Sequence, residues 1–337
     1  MIELYRNSLK FTFPEVHPQA ELLINFQRTL RIPDDDHAYP LPPGLGNFPL
    51  KHIDDYQVPA GWTERGGVML PMYQSEALWI SFNSSPVLNR HTSYPFAVKI
   101  AAGKINAVSG EEWDNKLNSN PQDYLVTTEQ PWLDGYSVEK GIIRQFVAMP
   151  LGSGYSAEEQ LTGTAEHGGI QIIVYPMKAE VFEKRFPQYQ AKYDAELRDA
   201  ELDFCLCSPS DMGLAPGGKM KQEIYEDPFN FSDWDHSTSS RCFVHLANSL
   251  VWRAITGEQP PTTPVTSKEY NDHGLPWFDY YDDQAAALEG SETLAKLKSI
   301  MQKASDKKDN PLPENETVKP EKIKVLKNTR TVREGRF

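Results

Sequence analysis

Residues 130–178 read QPWLDGYSVEKGIIRQFVAMPLGSGYSAEEQLTGTAEHGGIQIIVYPMK, and the pattern inside them decides the fold class. The runs at 141–149 and 169–176 are short, rich in Ile and Val, and closed by glycine-containing turns, which is how strands read. Between them, Ser156 and Glu159 hold the S-x-x-E spacing of a capping box, so SAEEQL begins a helix. Strand, glycine turn, short helix and strand in succession describe a sheet-rich chain with few helices.

The flanks carry the same character. Residues 3–13, 21–32, 68–83 and 123–129 read as strands, and 95–109 as strand, Gly103-Lys104 turn and strand. The stretch 33–49 holds Pro33, Pro40, Pro42, Pro43 and Pro49, and is expected to wrap the body as ordered coil. Residues 178–203 form a charged helix candidate interrupted at Pro187. Strand and turn resume over 204–231, with a flexible APGGK at 215–219.

The spacing of Phe243, Leu246, Ala247, Leu250, Val251 and Ala254 predicts the clearest helix, over 237–256, ended by Gly257. A Pro/Thr linker follows at 258–267. Leu288, Leu294, Leu297 and Ile300 suggest one more helix before a polar tail. The expected fold is α+β: a large, mainly antiparallel, Pro-rich β body with a few helices and an extended C-terminal tail. Its organisation is a mixed α+β body over 1–265 and a C-terminal helix and basic tail over 266–337, packed on the body or on a neighbouring subunit.

Composition supports a folded, soluble protein. The chain has 337 residues, enough for a full core, with 26 prolines that disfavour a helical bundle. A net charge of −13 speaks against a general nucleic-acid binder, which needs a basic surface, and against an anionic membrane surface as main partner. No run of 18 apolar residues is present, and MIELYRNSLKFTF lacks a basic-then-apolar leader pattern. Three cysteines build no disulfide framework, which makes the cytoplasm the default.

Charge is unevenly placed. Residues 317–337 hold seven Lys or Arg against two Glu, a local +5 that leaves −18 for the rest of the net −13. That segment also holds Ile323, Val325, Leu326, Val332 and Phe337, so a half-apolar basic extension is set against an acidic body. Strand addition to an exposed edge is one way for it to dock.

Chemistry-bearing candidates are few. LGSGY at 151–155 follows a strand and precedes a helix start, the geometry that cradles an anion; the competing reading is a tight turn that needs glycine, and it is favoured. Arg144 and Gln145 sit inside an apolar strand. They either pair internally, with Asp134, Glu158 or Glu159 near in sequence, or line a carboxylate- or phosphate-binding pocket together with Gly152, Gly154, Tyr155 and Glu159. Cys205, Cys207, Cys242 and His245 make a Cys₃His set on paper, but with spacing unlike zinc pairs, so no metal is assigned. The eight histidines form no ligand motif, no nucleophile elbow is present, and no catalytic residue or cofactor is assigned.

Several blocks together resemble one family: FQRTLRIPDDDHAYPLPPGLGNFPL, YPFAVKIAAGKINAVSG, QPWLDG with RQFVAMPLGSGYSAEEQLTG, GLPWFDYYDD with LEGSETLAKLKS, and the closing VREGRF. It is an uncharacterised bacterial and fungal family, some of whose members are joined to ubiquitin-like segments. The resemblance spans 26–337 and brings no activity or catalytic residue. It implies one integral unit that includes the tail, and an adaptor role linked to ubiquitin is the weakest reading it allows. The function expected is a non-enzymatic structural or interaction protein that self-associates as a homo-oligomer, or binds another protein partner, with the basic extension docking on the acidic body. The alternative is an enzyme or a binder of a small anionic ligand near Arg144, Gln145, Tyr155 and Glu159.

Overall fold

A computed structural model describes residues 1–35, 37–74, 76–87, 90, 92–188, 211–280, 285–309 and 316–326. Strand accounts for 38% of the described residues and helix for 18%, and most strand pairs are antiparallel, so the fold is α+β. In chain order the strands are β1 (Ile2–Tyr5), β2 (Ser8–Thr12), β3 (Glu21–Thr29), β4 (Ala38–Tyr39), β5 (Gly44–Asn47), β6 (Lys51–His52), β7 (Val68–Pro71), β8 (Ala77–Ser84) and β9 (Phe96–Ala102). Then come β10 (Ile105–Asn106), β11 (Leu125–Val126), β12 (Trp132–Leu133), β13 (Gly135–Glu139), β14 (Ile142–Pro150), β15 (Ile170–Pro176), β16 (Asp211–Lys221), β17 (Ser240–Ala247), β18 (Trp277–Tyr280) and β19 (Ile323–Leu326). The helices are short: α1 (Ala60–Arg65), α2 (Ala157–Thr162), α3 (Ala179–Arg185), α4 (Ser249–Thr256), α5 (Ser267–Asp272), α6 (Glu292–Ala295) and α7 (Ile300–Lys307).

The spine of the large sheet runs β1-β2-β3-β8-β14-β16-β17-β15-β9, every neighbour antiparallel. Two parallel additions lie on it: β7 beside β17, and β4 beside β16. Central strands β9 and β15 are buried at every position, which explains why they read as continuous apolar runs rather than as alternation. One continuous core runs from Leu9 to Val318, with Trp234, Trp277 and Tyr136 fully enclosed. A satellite under α4 gathers Ile53, Trp62, Met69, Val251 and Trp252. A third cluster joins Ile300 and Ala304 of α7 to Val147, Met149, Tyr155 and Ala215. Burying a side chain such as Ile300 contributes about 1.5–3 kcal/mol, so α7 is anchored to the body by packing and not by its own helix propensity.

Several local expectations are corrected. Residues 240–247 of the predicted helix are strand β17, held between β15 and β7. Their apolar residues are buried on both faces near the strand end, and consecutive buried positions followed by a true helix imitate 3.6-residue spacing. Helix begins only at Ser249, where the Asn248 side chain accepts the N–H groups of Leu250 and Val251 at 2.9 Å, and Leu250 is exposed.

The APGGK segment is the buried centre of β16, not a flexible turn. Pro216 has no N–H to donate, and the β14 pairing slips there: Arg144 faces Lys219 while Phe146 faces Pro216. Gly218 is required by proximity, since a Cβ there would lie 2.2 Å from the carbonyl oxygen of Pro33.

The Pro-rich stretch 33–49 contributes β4 and β5 instead of coil alone, both very short and both at places its prolines leave free. Helix α3 ends before Pro187; from residue 189 the predicted helix lies outside the described residues. The helix expected near 288–300 is split into α6 and α7 by a turn at 296–299. Among the described residues no helix is long and apolar enough to cross a membrane.

The described C-terminal residues are tied to the body. Strand β19 lies parallel to β18, and Phe278 of β18 exchanges backbone bonds with Leu41. Residues 286–288 bond to 224–226, and the backbone N–H of Ser291 reaches the carbonyl of Ser137.

Candidate functional site

The region singled out in the sequence is a seat for other parts of the chain. Arg144 is buried in mid-strand; its Nη1 donates to the Gly217 carbonyl at 3.2 Å and lies 3.9 Å from Asp34 Oδ1. The other Asp34 oxygen accepts the backbone N–H of Met301 at 2.8 Å, in the first turn of α7. One carboxylate therefore faces both a guanidinium and a helix N-terminus. Neither Glu158 nor Glu159 is the partner expected from sequence proximity. Asp34 is far away in sequence and comes to Arg144 where Gly218 of β16 lets residues 32–33 pass close by.

Gln145 is fully buried and acts as a substitute for a strand neighbour. Its Nε2 donates to Leu30 O at 2.8 Å, and its Oε1 accepts the N–H of Ile32 at 3.0 Å. These bonds satisfy backbone groups just beyond the end of β3, where ladder pairing has stopped.

The glycine turn does cradle an anion, and the anion is the protein's own. Gly152 and Gly154 have φ of 83° and 76°, which glycine adopts without strain. The Gly154 N–H donates to Glu159 Oε1 at 2.7 Å, and Ser156 N and Oγ donate to Oε2 at 3.2 and 2.6 Å. Glu159 N–H returns a bond to Ser156 Oγ, completing the predicted capping box. Glu158, which is buried, accepts the N–H groups of Glu166, His167 and Gly168 at 2.8–2.9 Å.

The C-terminal segment covers this turn. Tyr155 donates its hydroxyl to Asp309 at 3.0 Å, and burial together with that carboxylate pushes the phenol up to about 12. Lys307 stands over the Tyr155 ring at 4.7 Å and donates to the Ser153 carbonyl. The Gln160 amide bonds both the N–H and the C=O of Lys298, each at 2.9 Å. The sequence-named residues fall into two groups: Arg144 and Gln145, in β14, hold residues 30–34 and 217, while the turn from Gly152 to Glu159 binds its own carboxylate and, through Tyr155, Asp309.

The remaining polar candidates have structural partners. Cys242 and His245, three apart on a strand, do not share a face as they would on a helix. Burial pushes the Cys242 thiol up to about 12 and the His245 imidazole down to about 4. His245 is stacked on Trp62 at 4.5 Å and bonded to the Gly66 carbonyl. Cys205 and Cys207 lie outside the described residues, and among the described ones no group of three His, Cys, Asp or Glu could hold a metal.

An open cleft of about 490 Å³ lies elsewhere, and sequence reasoning missed it. Its walls come from residues 119–124, 226–231 and 288–291, joined by the backbone bonds between 286–288 and 224–226. Asp227 is fixed at the base: Oδ2 accepts from Tyr124 Oη at 2.6 Å and Trp234 Nε1 at 2.7 Å, and Oδ1 from the Phe229 N–H at 2.8 Å. Burial and that carboxylate push the Tyr124 phenol far up, so it remains a hydrogen-bond donor. The interleaved acids and aromatics of EDPFNFSDW, 226–234, were the available signal. No protein-family model, curated protein or solved structure matches this chain.

Proposed function

We propose that this is a non-enzymatic interaction protein that self-associates through its C-terminal extension, one copy's basic segment meeting the acidic body of another. The observation that carries this reading is strand β19. It adds to β18 on one side only among the described residues, and its Ile323 and Val325, on one face, are each 50% exposed. An edge strand with apolar side chains on its face is a template for a further chain. The charge division, +5 over 317–337 against −18 for the remainder, gives that extension a complementary surface on a second copy. The resemblance to the uncharacterised family, which runs through VREGRF, also favours the extension as a working part. A cytoplasmic setting suits three cysteines with no disulfide framework.

Native mass spectrometry and light scattering test the reading. The expected result is an assembly that loosens at high salt and is lost in the double variant Ile323→Asp/Val325→Asp. A monomer whose mass changes only by the residues removed on deleting 310–337 would overturn it.

A further inference from the structure

We infer that the cleft between 119–124, 226–231 and 288–291 is a binding site for a small organic cation with a fully substituted ammonium head. Its volume, about 490 Å³, is that of a small-molecule site. Glu226, Asp227 and Glu289 line it, and no lysine or arginine does. Glu289 is shared with Lys140 at 2.5 Å, outside the cleft; Glu226 and Asp227 have no ion-pair partner among the described residues.

The kind of cation follows from how Asp227 is held. A carboxylate has about four lone-pair positions. Three donors already bond to Asp227: the Tyr124 hydroxyl, the Trp234 indole and the Phe229 N–H. All three are neutral, so none of them offsets its charge, while its capacity for further hydrogen bonds is nearly used. At Asp227 itself a primary ammonium, with three N–H groups to satisfy, would find an acceptor position for about one of them. A quaternary head brings charge without donors, and its methyl groups suit aromatic faces.

Those faces are present. Phe231 stands at the mouth, 36% exposed, with its ring 6.4 Å from that of Tyr124. The neighbouring Phe229 carries the Arg185 guanidinium over its ring at 5.3 Å, which leaves the Phe231 ring as the face to receive a ligand.

The experiment titrates the full chain with tetramethylammonium chloride, followed by NMR shifts of residues around the cleft, with sodium chloride at equal ionic strength as control and methylammonium chloride as comparison. Saturable shifts with tetramethylammonium, weaker ones with methylammonium, and none beyond the salt background with sodium are expected. Phe231→Ala should weaken binding roughly three- to thirtyfold, and Phe231→Leu, which keeps an apolar side chain but removes the π face, should weaken it too. Glu226→Gln should also lower affinity. A response to tetramethylammonium no different from sodium, tighter binding of methylammonium, or unchanged affinity in both Phe231 variants would overturn the assignment.

Discussion

The turn after β14 and the cleft beside Asp227 draw on the same kinds of residue, yet one is closed and the other open. In the first, a guanidinium, a buried amide and a glycine turn are matched by Asp34, by residues 30–32 and by Glu159. In the second, a carboxylate is held by three neutral donors beside an exposed ring, and among the described residues it has no ion-pair partner. Polar density in a sequence therefore marks where a chain binds itself as readily as where it binds something else. What separates the two is whether opposite charge is supplied internally.

The largest effect should come from an acid of the closed region that lacks such compensation. Asp134 precedes β13, is completely buried, and has one carboxylate oxygen without a hydrogen-bond partner. Burial pushes its pKa up to about 7, from an ordinary value of 3.8. Between those values the folded protein keeps a proton that the unfolded chain has released, so stability falls as pH rises from about 4 to 7 and is level above. At about 1.4 kcal/mol per pH unit, the loss is on the order of 4 kcal/mol. Asp134→Asn should recover much of it at pH 8 and flatten the dependence. Urea unfolding at pH 5 and pH 8 checks this; equal pH dependence in both proteins would show that Asp134 does not behave as its burial requires.

A somewhat smaller loss is expected where the closed region is compensated. Asp34→Ala removes the carboxylate 3.9 Å from the buried Arg144 guanidinium and the acceptor for the Met301 N–H. With the ion pair at 3.9 Å, the cost should sit at the lower end for broken buried pairs, about 3 kcal/mol. Because Asp34 also touches α7, hydrogen exchange at residues 300–307 should accelerate in the variant. A midpoint shift below the equivalent of about 1 kcal/mol would mean that Arg144 finds another partner and that the region is less closed than its geometry indicates.

The closed region was largely legible in the sequence and the open one was not, for a physical reason. Strands β14 and β15, the Gly103-Lys104 turn and the Ser156–Glu159 box depend on neighbours within a few residues, and local pattern records such neighbours. The strand β17 was misread because burial on both faces near its end erased its alternation, so Phe243, Leu246 and Ala247 fell into helical spacing with Leu250 and Val251. Asp34 was overlooked as a partner of Arg144 because their contact depends on Gly218 admitting a segment distant in sequence, residues 32–33. The cleft is assembled from four segments distant in sequence, which the pairing of 286–288 with 224–226 and the bonds of Gln122 to Tyr225 and Asp227 and of Ser291 to Ser109 bring together.

The smallest expected effect is the sharpest test of the contrast. Phe231 packs its ring edge near Tyr124 and His236, but it is 36% exposed and fills no part of the continuous core. Truncation to Ala should therefore change unfolding free energy by no more than about 0.5 kcal/mol, as for a surface position. If the closed turn and the open cleft differ as described, Asp34→Ala lowers stability, whereas Phe231→Ala lowers cation affinity at nearly constant stability. Paired denaturation curves and titrations on the two variants read both quantities. A loss of several kcal/mol for Phe231→Ala would place this ring in the architecture, and the cleft would then be a packing feature of the same kind as the turn.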